Sequence, residues 1–358
     1  MVRDYSAFLP SATPVRREPT ALERLGWDPT FSSQIDANAM TETPPVRVVA
    51  VHRSGLQVAG DEIKEAIPLG PDATVGDRIL LDPARPRSSR VLERKSLIKR
   101  RAPGTGREVQ LIAANIDTVF VVTSCNQDFN VARLERYVAL AFEAGIDPVI
   151  VLTKAGLTDD IASYVEEAQK VSDRVPVVAL DARGEEPSAA LADWCKPGRT
   201  VAFLGSSGVG KSTLTNALLG AQSIATQGIR EDDARGRHTT TRRELHATPS
   251  GCLVLDTPGM RELQLTNNAA GIADVFEDIE ALAASCRFTD CRHETEPSCT
   301  ILAAIEDGSL DAARFNRWRK LQAEDAFNSA SLGERREKDR AFGKLVRSAV
   351  KVKLDRKR

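Results

Sequence analysis

No stretch limits this chain more than Gly205-Ser206-Ser207-Gly208-Val209-Gly210-Lys211-Ser212. An apolar run, Thr200–Leu204, leads into it, and a helix-like segment from Thr213 to Leu219 follows. Strand, glycine-rich turn and helix in that order are the context a phosphate-binding loop requires. The glycines let the backbone curl into a nest of N–H donors around phosphate oxygens, and the helix start adds its positive dipole end. Gly205, Ser206, Ser207, Gly208, Val209, Gly210, Lys211, Ser212 and Thr213 are therefore candidate nucleotide-binding residues. Lys211 supplies a point charge for the β- and γ-phosphates, and Ser212 offers its hydroxyl to a magnesium ion.

The chain has 358 residues, long for a single domain, so two or three domains are expected. A hydrophobic content of 42% supports ordinary cores. No run reaches the roughly 18 apolar residues that cross a bilayer. Met1 to Met40 has no apolar core of a secretory signal, and six cysteines in a chain this long do not suggest a disulfide scaffold. A reducing cytoplasm is the expected location, with no membrane partner. The formal charge of −1 conceals segregation. Residues 85–107 carry nine Lys/Arg against Glu93 alone, and residues 334–358 carry eleven against four acidic residues. Two basic stretches on an otherwise acidic chain read as polyanion-binding surfaces, or else as a solvated loop and a frayed tail.

Residues 1–40 are rich in Pro, Ser, Thr and charge and are expected to be a flexible tail. Short β-like runs follow over residues 41–106: Val46–His52, Leu56–Ala59, Glu65–Pro68, Arg78–Leu81 and Arg90–Ile98. Their spacing suggests a small barrel, with an oligonucleotide-binding (OB) type as the size-matched option and an SH3-like barrel without ligand as the alternative. From 107 to 265 the rhythm is α/β. Strands at Val119–Thr123, Val149–Thr153, Val175–Leu180 and Thr200–Leu204 alternate with helices at Val131–Glu143, Asp159–Val171 and Ser188–Cys195. Such alternation implies a largely parallel sheet with ligands at the carboxyl ends of its strands.

Residues after those strands carry recognisable chemistry. Asp256-Thr257-Pro258-Gly259 follows the apolar run Cys252–Leu255. Its carboxylate is placed to hold magnesium through water, and the Gly259 N–H to face a γ-phosphate. Gly236-Arg237-His238-Thr239-Thr240-Thr241 lies in a charged stretch without apolar period. One of the three threonines, Thr240 being the candidate retained, would complete the magnesium shell in a loop ordered by the γ-phosphate. Thr153-Lys154-Ala155-Gly156 stands where a guanine-specificity motif of Asn/Thr-Lys-x-Asp type would lie, and Leu180-Asp181-Ala182 is a second candidate base-contacting turn. In ordinary regulatory GTPases the phosphate loop precedes the base-reading segments; here it follows them. A sheet core accepts such a rearrangement when the original termini lie close together. Cys286, Cys291, His293 and Cys299 offer three thiolates and an imidazole within fourteen residues, which satisfies one closed structural zinc site; unpaired thiols beside a surface histidine are the alternative. Cys125, Cys195 and Cys252 sit in apolar elements and read as core. Residues 266–330 are thus expected to form a zinc-binding helical domain, with Arg314, Arg317, Arg319 and Lys320 displayed on one helix around Phe315 and Trp318. Residues 331–358 are expected to be a basic tail.

In combination these motifs resemble the circularly permuted, ribosome small-subunit-dependent GTPases of the RsgA family, from about Val46 to about Leu321. Ile112-Ala113-Ala114-Asn115-Ile116-Asp117 and Arg133-Leu134-Glu135-Arg136-Tyr137 extend the likeness beyond the nucleotide motifs. The resemblance implies an OB barrel, a permuted P-loop GTPase domain and a zinc domain. It also implies binding to the small (30S) subunit and its 16S rRNA late in assembly, and slow GTP hydrolysis to GDP stimulated by that subunit. Two positions depart from expectation. Gly156 replaces an aspartate that would pair with guanine, so reduced base selectivity is expected, with Asp159 or Asp160 poorly spaced to substitute. Met260 stands where many GTPases keep a water-orienting glutamine, so unstimulated turnover should be slow and His238 becomes the candidate water-positioning group. The catalytic candidates are His238, Lys211 and Thr240. A P-loop NTPase of relaxed base preference acting on another RNA, and a nucleotide-sensing rRNA-binding protein with little turnover, are the competing readings. A monomer is the default.

Overall fold

A computed structural model describes residues 17–101, 109–183, 186–220, 243–256 and 268–329. Two short helices, α1 (Ala21–Arg24) and α2 (Pro29–Ser32), open the described chain, and α3 (Ala37–Glu42) follows. The strands β1 (Pro45–His52), β2 (Gly55–Ala59), β3 (Lys64–Ile67), β4 (Arg78–Leu80) and β5 (Arg90–Val91) form the small barrel unit. Next come β6 (Leu97–Arg101), β7 (Val109–Ala114), β8 (Thr118–Ser124), α4 (Val131–Glu143), β9 (Asp147–Thr153), α5 (Ile161–Gln169), β10 (Val177–Ala179) and α6 (Glu186–Ala190). The α/β unit closes with β11 (Thr200–Leu204), α7 (Lys211–Leu219), β12 (Arg243–Ala247) and β13 (Leu253–Asp256). Helices α8 (Ala269–Val275), α9 (Glu277–Ala284), α10 (Thr300–Glu306) and α11 (Ala312–Ser329) complete it.

The two β units are one sheet. Its order is β10-β9-β8-β11-β13-β12-β1-β2-β3, with β4 paired to β1 and β5 paired to β4. From β10 to β13 the pairing is parallel, and β12 returns antiparallel on β13. Every residue of β8 and of β11 is buried, as helix cover on both faces of a parallel sheet demands. β1 then pairs antiparallel with β12, Ala50 opposite Glu244 and Val51 opposite Arg243. The barrel is therefore hydrogen-bonded directly to the strand that follows residue 242. Val46, Val48, Leu56, Val58, Ile67, Ile79 and Leu81 fill its interior. The run expected as one strand over Arg90–Ile98 is two: β5 belongs to the barrel, and β6 pairs with β7 as a separate hairpin.

Residues 17–36 correct the expected tail. Thr20 and Glu23 form a reciprocal capping box on α1, and Asp28 caps α2 with Pro29 at its first position. Phe31 is fully buried, with the Arg78 guanidinium 5.2 Å and the Lys95 ammonium 5.5 Å from its ring centre. The Leu25 carbonyl accepts from two buried guanidiniums, Arg47 at 2.7 Å and Arg78. Arg47 also donates to the Gly76 and Asn115 carbonyls and to the Thr200 hydroxyl. One side chain thus joins the N-terminal helices, the barrel and the first residue of β11. Burial lowers the Arg47 pKa to about 10, opposed by the charges of Asp117 and Asp77.

Candidate functional site

The winding of the sheet locates the site. From β8 the chain steps outward through β9 to β10, then returns to the other side of β8 for β11 and goes on to β13. The switch in direction lies between β8 and β11, and ligands on open α/β sheets sit at the carboxyl ends beside such a switch. The loop Gly205–Gly210 emerges there from β11. Gly205 has φ 145°, and a Cβ on it would meet the Val122 carbonyl oxygen at 2.2 Å, so no side chain fits where the loop leaves the sheet. Gly210, at φ 100°, is the N-cap of α7, which places Lys211, Ser212 and Thr213 in the first turn with their N–H groups facing the loop. The Lys211 ammonium donates to the Gly205 carbonyl at 2.8 Å and to that of Ser206. This strand, loop and helix have the form the sequence anticipates.

The neighbouring segments converge on the same edge. β13 lies parallel beside β11 with Ala202 opposite Leu255, so Asp256 leaves the sheet next to the phosphate loop. On the other side, the Thr153 hydroxyl donates to the Val209 carbonyl at 2.6 Å and lies 3.1 Å from the Thr123 carbonyl, tying the end of β9 to the loop. Lys154 takes a left-handed backbone conformation, φ 57°, which turns Ala155 and Gly156 into a short 3-10 helix. The ladder between β9 and β10 runs on through the Leu180 N–H to the Leu152 carbonyl at 3.0 Å, bringing Leu180-Asp181-Ala182 alongside. The Asp160 carboxylate accepts from the Ser163 N–H and caps α5, and Asp159 is exposed on the same loop. His238, Thr239, Thr240, Thr241, Gly259 and Met260 lie outside the described residues.

Sequence reasoning missed the role of α4. The Asn130 side chain caps its N-terminus, and Arg133 in its first turn donates to the Ser206 hydroxyl at 2.7 Å. Two residues on, the carboxylate of Glu135 is fully buried and receives Arg317 at 2.8 and 3.0 Å and Arg314 at 3.4 Å. Burial raises the Glu135 pKa, and the two arginines pull it back. Arg136 adds an ion pair with Glu324. Of the cations expected to be displayed on α11, Arg314 and Arg317 therefore turn inward, Arg319 and Lys320 stay exposed, and Phe315 and Trp318 are core. α8 crosses the same helix closely: a Cβ on Gly271 would stand 2.1 Å from the Ala139 carbonyl oxygen. The basic loop is also partly consumed. Arg94 pairs with Asp77, and Lys95 with Asp28 and Asp117.

Cys286, Cys291, His293 and Cys299 come together with their ligand atoms within 4.8 Å of one another. Cys286 Sγ is 3.6 Å from His293 Nδ1 and 3.9 Å from Cys299 Sγ, and His293 Nδ1 is 3.4 Å from Cys299 Sγ. A tetrahedral ion bound to sulfur at ~2.3 Å and nitrogen at ~2.0–2.1 Å separates its donors by about 3.5–3.8 Å, so these residues fit one. The imidazole stands against Phe315 and Trp318, with ring centres 6.3 and 6.0 Å away, which fixes the cluster to α11. Cys125, Cys195 and Cys252 are buried in the α/β unit as expected.

Comparison with known proteins agrees with this architecture. The RsgA GTPase family model matches residues 91–266. The small ribosomal subunit biogenesis GTPase RsgA 2 of Vibrio parahaemolyticus is 48% identical over 338 residues, covering 94% of each chain. The small ribosomal subunit biogenesis GTPase RsgA of Mesorhizobium japonicum is 46% identical over 90% of this chain and 94% of its own. Among solved structures, YjeQ from Thermotoga maritima superposes with a TM-score of 0.56 at 25% identity, covering 77% of this chain and 96% of that one. The circularly permuted GTPase YloQ gives 0.54 at 22% identity over 83% and 100%, a likeness of fold.

Proposed function

The chain belongs to the RsgA GTPase family, and on that premise we propose that it hydrolyses GTP to GDP and phosphate as a late maturation factor of the small ribosomal subunit. One observation carries the reading. The edge that holds the phosphate loop is joined to both flanking units, to the barrel through β12 and β1 and to the thiol cluster through α4 and α11. A phosphate sensed at that edge is thereby coupled to both flanking units.

The residues divide the work as follows. Backbone N–H groups from Gly205 to Thr213 cradle the β- and γ-phosphates, and Lys211 moves its ammonium from the loop carbonyls to the phosphate oxygens. Thr153, Lys154, Ala155 and Gly156 form one side of the base pocket. Ser212, Asp256 and Thr240 are assigned to magnesium, which neutralises charge on the β- and γ-phosphates when bound. Cys286, Cys291, His293 and Cys299 hold one structural zinc ion. Arg85, Arg87, Lys99 and Arg100 are assigned to 16S rRNA, and the basic stretch 334–358, also assigned to it, lies outside the described residues. His238 is assigned to the attacking water and Gly259 to the γ-phosphate; both lie outside the described residues. The protein acts in the cytoplasm as a monomer.

Turnover of GTP measured alone, with purified small subunits and with large subunits tests this. Stimulation by the small subunit alone is expected, and Lys211→Ala should remove the difference between GTP and GDP in subunit association. No hydrolysis with either particle would refute the proposal.

A further inference from the structure

The guanine-reading turn of this chain lacks its carboxylate at Gly156, and the structure holds another carboxylate in front of the gap. A Cβ built on Gly156 meets one heavy atom within 4 Å, the Oδ2 of Asp181, at 3.8 Å. The rest of that position is open space. Asp181 comes from the neighbouring turn, after β10, and the Leu180 N–H to Leu152 carbonyl bond at 3.0 Å fixes the two turns in register. Its carboxylate is itself oriented. Oδ1 accepts from the Arg183 N–H at 3.0 Å, and its own backbone N–H donates to Glu186 Oε2 at 3.3 Å. No hydrogen bond reaches Oδ2 among the described residues. One oxygen is tethered and the other points at the place the base turn leaves vacant.

We propose that Asp181 is the specificity-determining carboxylate of this chain, accepting the N1–H and exocyclic amine of guanine across the space left by Gly156. The proposal rests on the guanine-nucleotide reading above and deepens it: selectivity is kept by a carboxylate from the second turn, not relaxed. Electrostatics explains why the two positions go together. An aspartate at 156 would set a second negative charge within a few ångströms of Asp181, and paired carboxylates disfavour each other's ionised form. Glycine at 156 with aspartate at 181 leaves one carboxylate for two donors. Asparagine at 181 would present an amide N–H in its place, which suits the 2-oxo group of xanthine and opposes the guanine amine.

The experiment measures dissociation constants of GDP, IDP, XDP and ADP for the full chain, for Asp181→Asn and for the double variant Gly156→Asp with Asp181→Ser. Wild type should prefer GDP to XDP and IDP. Charge-assisted hydrogen bonds contribute about 1.5–3 kcal/mol each, so Asp181→Asn should weaken GDP by about 10–100-fold while XDP holds or tightens. ADP affinity and the thermal midpoint should not move, and the double variant should regain the preference for GDP. If GDP, IDP and XDP weaken in parallel in Asp181→Asn, its role is structural and the proposal fails. Should wild type prefer guanine and Asp181→Asn keep that preference, this proposal alone fails. A wild type without guanine preference overturns the guanine reading and the proposal with it.

Discussion

Replacing Glu135 with glutamine tests the mechanical part of the argument most directly. The side chain keeps its volume and loses its charge, leaving Arg317 and Arg314 against a neutral amide. Removing one partner of a fully buried ion pair costs about 3–5 kcal/mol. Here the carboxylate is completely buried, but the side chains of Arg317 and Arg314 are 23% and 14% exposed. Arg314 also keeps Asp278 and the Val275 carbonyl. Water and these remaining acceptors compensate part of the loss, which places the expected destabilisation at about 2–3 kcal/mol. Calorimetry should show the thermal midpoint down by roughly 4–12 °C, at about 2–4 °C per kcal/mol for a domain of this size. Because α4 also contacts the phosphate loop through Arg133, the functional consequence is separable. Unstimulated hydrolysis should survive, while stimulation by the small subunit falls severalfold. A double-mutant cycle with Arg317→Met should return a coupling energy of at least ~1 kcal/mol. A midpoint shift below ~1 °C, additive single variants and undiminished stimulation would together refute the clamp.

Two further outcomes follow from the flanking units. Stripping metal with a chelator, or Cys299→Ser, should remove one zinc per chain by elemental analysis and unfold the α10–α11 region by circular dichroism, since structural zinc binding is folding free energy of about 10–16 kcal/mol in finger peptides. Retained helicity in the metal-free protein would count against a structural ion. Phe31→Ala should destabilise the protein by about 3–5 kcal/mol in denaturant titration, as expected for a buried aromatic truncated to alanine; no change would mean that residues 17–36 do not share the core.

What the sequence made legible was whatever is local. The 3.6-residue period placed a helix over Val131–Glu143, and α4 has those bounds. The phosphate loop was readable because strand, glycines, lysine and helix all lie within twenty residues. Signals for the N-terminal helices were also local, Thr20-x-x-Glu23 and Asp28-Pro29, but each helix has only four residues, and a Pro/Ser/Thr-rich composition obscured them. Non-local pairing was not legible. Nothing in Val46–His52 or Arg243–Ala247 announces that they are neighbours, since the pairing and its register are set by the fold around them.

Charge is legible in a sequence with its sign and without its partner. Arg94, Lys95, Arg314 and Arg317 count as cations in any composition, yet each is held by an acidic side chain far away in the sequence. The same blindness works in the other direction at the base pocket. Gly156 registers as the loss of a carboxylate only if the turn is considered alone. Once β9 and β10 lie side by side, Asp181 Oδ2 stands 3.8 Å from where a Cβ on Gly156 would lie, and under our proposal the departure in one motif is half of a matched pair. Substitutions in a nucleotide pocket are therefore better judged by what the parallel neighbour of a turn presents than by the turn itself, because adjacent strand ends share one ligand.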